Sequence, residues 1–72
     1  MKHTKQSFLA AFTCGDLLQT ETGLNKNLPP YKIAQIDKDG FVAQRVDNNR
    51  AFIAAVFDAE PFYKVDLNNN KL

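Results

Sequence analysis

The chain has no tryptophan, and cysteine, histidine and methionine each occur once in its 72 residues. A single cysteine, Cys14, excludes an internal disulfide, and a single histidine, His3, leaves no cysteine and histidine set with the spacing that holds structural zinc. Those are the usual supports of very short chains, since a domain of ~60 residues buries only about 60% of its unfolded surface. Close packing or self-association must take their place. Long hydrophobic runs are missing too: the longest, "AFIAAVF" at 51–57, falls far short of the ~20 residues a membrane-crossing helix needs. Lys2 and Lys5 precede "FLAAF", but Thr13 and Asp16 follow too closely for a secretion signal, so a cytoplasmic protein is expected. Charge of one sign is also absent, with nine bases against eight acids and a net charge of +1. Such a chain has no strong field to steer it toward DNA or an anionic membrane.

What is present is an ordinary globular composition, 44% hydrophobic and 24% charged. In "TKQSFLAAFTCG" the spacing of Phe8, Leu9 and Phe12 predicts a short amphipathic helix over 5–13, capped by Thr4 or Ser7 and ended by Gly15. A helix this short does not persist alone in water, so Phe8 and Phe12 are expected to dock on the outer face of a sheet. Beyond Gly15, "DLLQTET", "YKIAQI", "FVAQRV", "AFIAAVF" and "FYKVDL" are short runs rich in β-branched and aromatic residues, and read as strands. "DKDG" at 37–40 supplies a glycine for a positive φ at a tight hairpin, and "DNNR" at 47–50 centres a second hairpin on Asn48-Asn49. The second, third and fourth runs should form a meander. "TGLNKNLPP" reads as an irregular surface loop and "NNNKL" as a frayed tail.

The fourth run is apolar at both parities, with Ala51, Ile53, Ala55 and Phe57 on one face and Phe52, Ala54 and Val56 on the other. Both faces should therefore be covered, one by the barrel interior and the other by the helix or a second subunit. In "FDAEPFYKV", Asp58 and Pro61 suit a single helical turn before the last strand. Phe57 then closes the core strand, while one of Phe62 and Tyr63 caps the core and the other faces outward. A "GDLL" start at 15–18, the meander from Tyr31 to Val46 and the kink from Asp58 to Phe62 before "YKV" together resemble the Src-homology-3-like small barrels of the Tudor and KOW kind. The resemblance covers residues 15–67 and implies a mainly β chain: a five-stranded small barrel or meander with one short N-terminal helix. The expected organisation is a leader and helix at 1–14, the barrel at 15–67 and a polar tail at 68–72.

Catalytic chemistry is hard to place on these residues. The "DKDG" loop lacks the downstream acid that a calcium loop requires. Cys14, at a helix C-terminus where the dipole disfavours a thiolate, reads as a small packed residue. No glycine-rich phosphate loop and no paired catalytic carboxylates occur, so neither an enzyme nor a cofactor or metal is expected. A cation cage from Tyr31, Phe41 and Tyr63 with Asp39 or Asp58 is a weaker reading than core packing. Two binding functions remain. The favoured one is a non-catalytic module that binds a protein partner, or itself, through Phe8, Phe12, Phe52 and Val56. The alternative is a nucleic-acid-binding barrel that uses Lys32, Arg45, Arg50 and Lys64, with Tyr31, Phe41 and Tyr63 to stack on bases.

Overall fold

A computed structural model describes residues 2–72. In chain order the elements are α1 (Lys5–Ala11), β1 (Leu17–Thr20), α2 (Glu21–Asn25), β2 (Tyr31–Ile36), β3 (Gly40–Arg45), β4 (Asn48–Val56) and β5 (Phe62–Lys64). The strands form one antiparallel sheet in the order β4-β3-β2-β1-β5, which contains the expected meander. Its two ends do not pair among the described residues, so the sheet stays open and is not a closed barrel.

α1 begins at Thr4, whose side chain accepts from Ser7 N (3.1 Å) while Ser7 Oγ accepts from Thr4 N (2.9 Å). The pair satisfies two amide groups that a helix start leaves free. The helix stops at Ala11, two residues short of the expected end, because Phe12 is already extended at φ −126°. Gly15 takes φ +95° and donates to Ile33 O (2.8 Å), which seats the chain beside β2 before β1 begins. The segment expected to be an irregular loop instead contains α2. Thr20 Oγ1 caps it by accepting from Gly23 N (2.9 Å), and Glu21 sits in its first turn where the helix dipole favours a carboxylate.

Both hairpins differ in detail from expectation. Asp37 N donates to Gly40 O (2.7 Å), yet Gly40 has no positive φ. It is the first residue of β3, and a Cβ there would overlap the carbonyl oxygen of Ala55, so glycine is needed for close approach of two strands. In the second hairpin Arg45 lies opposite Asn48, which makes Val46-Asp47 the link and moves both asparagines into β4. Neither asparagine adopts the left-handed region; Asn48 Oδ1 accepts from Arg50 N (3.0 Å) instead. Ala34 is the unpaired residue of a bulge in β2.

The core gathers Phe8, Phe12, Leu18, Ile33, Phe41, Ala43, Phe57 and Phe62. Phe8 is its centre, fully buried and stacked on Phe12 and Phe41 at 4.6 and 4.9 Å between ring centroids, with Phe57 tilted at 4.9 Å and Phe62 edge-on at 6.2 Å. α1 therefore docks on the inner, core-bearing side of the sheet, not the outer face expected of it. Of the two covers expected for the outer face of β4, the helix is therefore excluded, and within the chain that face is bare. Ile53 and Ala55 pack on the core, but Phe52 is 63% and Val56 51% exposed.

After β4 the chain makes a bend closed by Ala59 N donating to Val56 O (3.3 Å), where a helical turn was expected. Of the two rings left open by the sequence, Phe62 points into the core and Tyr63 outward. The tail is not frayed. Asp66 accepts from Asn68 N and Asn70 N, Val65 bridges to Lys71, and Leu72 N donates to Lys64 O (2.9 Å).

Candidate functional site

The strongest unpartnered surface lies on the outer side of β4. Alternation along the strand turns Phe52, Ala54 and Val56 away from the core, and their β3 partners are Gln44, Val42 and Gly40. The result is an apolar strip of Phe52, Ala54, Val56 and Val42, with no charged residue on β4 after Arg50. Because Gly40 has no side chain, a shallow hollow opens beside Val56, rimmed by Lys38 and Asp39 of the hairpin. β4 is also an end strand and pairs with β3 alone among the described residues, leaving half of its backbone groups along a free edge.

The other proposed protein-binding residues lie elsewhere. Phe8 and Phe12 are buried in the chain's own core and present nothing to a partner, which corrects the expectation for both. Phe52 and Val56 remain, four residues apart on one face with Ala54 between them.

The residues of the nucleic-acid reading do not converge. Phe41 is buried and unavailable for stacking. Tyr31 lies opposite Leu18 and packs against the core, whereas Tyr63 lies opposite Gln19; since Leu18 and Gln19 are consecutive in β1, the two tyrosines are on opposite faces. That separation also removes the cation cage. Arg45 is held by Asp47 through two bonds (2.7 and 2.9 Å), and this partner pushes the guanidinium's pKa further up. Lys64 pairs with Asp16 at 3.5 Å. Thr13 N and then Lys64 hold the Asp16 carboxyl below the usual carboxylate range, against some desolvation. Lys32 and Arg50 are exposed and carry no ion pair among the described residues.

Cys14 is exposed, not packed as expected. His3, placed by sequence in a flexible leader, donates from Nε2 to Phe62 O (2.9 Å) and lies edge-on to Phe8 and Phe12. No cluster of three or more metal-ligating side chains occurs among the described residues, nor does any helix there have the length and apolarity to cross a membrane.

One polar residue that pattern reading missed is Gln19. It is fully buried, its Nε2 donates to Leu28 O (2.9 Å), Pro29 O (3.2 Å) and Asn69 Oδ1 (3.2 Å), and its Oε1 accepts from Thr20 N (2.9 Å). Gly23 makes room for this amide, since a Cβ there would overlap it. The group ties the α2 segment to the C-terminal tail and is structural.

Comparison with protein-family models, with curated proteins and with solved structures finds no match to this chain. What its own residues define is a mainly β protein of one open sheet with an aromatic core. The particular mark of this chain is a nine-residue edge strand whose outer face is apolar from Phe52 to Val56.

Proposed function

We propose that this chain is a non-catalytic, cytoplasmic protein-binding module whose contact surface is the outer face and free edge of β4. The observation that carries the reading is the exposure of Phe52 and Val56 on a strand whose outer edge has no partner among the described residues. Burying each such side chain is worth about 1.5–3 kcal/mol, and a free strand edge offers a ladder of main-chain hydrogen bonds as well. In this reading the sheet is an opened form of the Src-homology-3-like barrel, with α1 in place of closure. The rival nucleic-acid reading has lost its central ring, Phe41, and two of its cations to ion pairs.

Phe52→Asp and Val56→Asp are the direct test. Because both side chains already face solvent, each variant should keep the parent's circular dichroism and melt within a few degrees of it, while losing capture of partner proteins from host lysate. Unchanged capture by both variants would sink the reading. Binding of a short oligonucleotide that weakens by orders of magnitude between about 50 and 200 mM salt would favour the nucleic-acid alternative.

A further inference from the structure

Independently of the reading of β4, we propose that a second hollow, at the end of the sheet away from the β2–β3 hairpin, binds a small amphipathic carboxylate: an apolar body that carries one anionic group. The hollow encloses about 430 Å³, and small-molecule sites run from about 300 to 1,000 Å³. Strand register builds it. Leu17 lies opposite Lys32 and Lys32 opposite Gln44, so the three side chains stand in a row on the outer side of β1, β2 and β3. Val46, from the link after β3, and Leu67, from the tail, supply the rest of the apolar wall and are 39% and 68% exposed. Both segments are held in place. Val46 N donates to Pro30 O (3.1 Å), and Asp66 closes the turn around Leu67 by accepting from Asn68 N (2.8 Å) and Asn70 N (3.0 Å). The wall therefore exists before a ligand arrives, which spares the ligand the entropy of ordering it.

Charge selects the anion. Lys32 and Arg45 line this hollow and no acidic residue does. Asp47 takes Nε and Nη2 of Arg45 (2.9 and 2.7 Å) and offsets its charge, whereas Lys32 has no ion pair among the described residues. Asp16, next to Leu17 in the chain, is engaged by Lys64 at 3.5 Å. One uncompensated ammonium thus stands beside an aliphatic wall, with the Gln44 amide as a neutral donor next to it. A neutral ligand leaves that ammonium unused, and a purely hydrophilic anion leaves Leu17, Val46 and Leu67 in water. Only a molecule with both parts meets both. Topology favours a small molecule over an added strand: β1, β2 and β3 each have a partner on either side, so this part of the sheet offers no free backbone edge to extend.

The experiment is titration of the nitrogen-15-labelled chain with 4-phenylbutyrate, followed by amide shifts in two-dimensional NMR, beside the neutral isostere 4-phenylbutanol. Phenylbutyrate should give saturable shifts at Leu17, Lys32, Val46 and Leu67 with a Kd of about 1 mM, the scale expected of a ligand of its size. Phenylbutanol should bind at least about fivefold more weakly. Lys32→Met keeps the aliphatic stem and removes the charge, so it should weaken phenylbutyrate at least about fivefold and leave phenylbutanol unchanged. Because Lys32 is exposed, this variant should melt within about 3 °C of the parent. Lys38→Met, at the hairpin end of the sheet, is the control and should bind as the parent does. No saturable shift up to about 20 mM overturns the proposal. So does equal binding of acid and alcohol, or a Lys32→Met variant that binds phenylbutyrate as tightly as the parent. None of these results bears on Phe52 and Val56, so the proposal and the reading of β4 fail separately.

Discussion

Replacing Phe8 with alanine removes the one ring that touches Phe12, Phe41, Phe57 and Phe62 together. Phe8 is fully buried at the middle of a seven-residue helix, so the surroundings cannot collapse into the gap without pulling α1 off the sheet. Truncating a buried phenylalanine costs about 3–5 kcal/mol, and alanine's better helix propensity returns roughly 0.5 kcal/mol. A net loss of about 3 kcal/mol compares with a total stability of roughly 4–11 kcal/mol at 0.05–0.15 kcal/mol per residue. The unfolding entropy of a chain this size turns that into a fall of roughly 20 °C in melting temperature. Urea unfolding followed by far-ultraviolet circular dichroism is the assay, since the chain has no tryptophan to report by fluorescence. The paired control is Leu9→Ala: Leu9 is 45% exposed on the far side of the same helix and should lose much less. If Phe8→Ala lost under about 1 kcal/mol, or no more than Leu9→Ala, α1 would be a loose arm and the core described above would be wrong.

Gly40→Ala should cost more than about 2 kcal/mol, because its Cβ meets the Ala55 carbonyl and not a yielding side chain; thermal melting within 2–3 °C of the parent would contradict the strand approach seen there. Gln19→Leu should destabilise by about 1–3 kcal/mol and speed amide exchange at Asn69 and Leu72, since the backbone acceptors Leu28 and Pro29 lose a buried donor; protection unchanged in the tail would rule out the link. Backbone amides of Asn70 and Asn68 hold the Asp66 carboxyl below its ordinary 3.8, and those of Thr13 together with Lys64 do the same for Asp16. A lowered folded value means stability that is present above about pH 4 and lost as pH falls through that value. The melting temperature should therefore drop on acidification below the 3.8 reference, and Asp66→Asn should flatten that drop; an acid limb identical to the parent's would exclude the Asp66 contribution.

Much of the architecture was legible because local chemistry and global fold agree. The Thr4 or Ser7 cap, the β-branched and aromatic runs "YKIAQI" and "FVAQRV", and the split of Phe62 and Tyr63 between core and solvent all follow from short-range rules. α2 was hidden by Pro29-Pro30 and Gly23, residues that argue against helix, while the deciding cap, Thr20, stood at the end of an apparent strand. The asparagines misled in both hairpin and tail: their tolerance for left-handed backbone is used at Asn27 and Asn69, not at Asn48 or Asn49. Phe8 and Phe12 were correctly read as a buried stripe, but periodicity does not say which side of a sheet a helix covers. That single ambiguity turned Phe8 and Phe12 from contact residues into core. It also left Phe52 and Val56 in solvent. Gln19 carried no signal, since a lone glutamine in a strand is ordinarily solvated and the acceptors of its Nε2 lie 9 to 50 residues away.

The ring at the centre of the core comes from the eighth residue, while Phe57 and Phe62, which hold it, come near the other end of the chain. During synthesis α1 thus leaves the ribosome before the strands that bury its aromatic stripe, and Phe57 and Phe62 reach it only after β4 and β5. Loop-closure entropy for these distant contacts is met only when the last strand arrives, so the complete core cannot close before β5 has been made. Until then "FLAAF" and "AFIAAVF" are exposed together on one nascent chain, and that interval is when this protein most needs a chaperone.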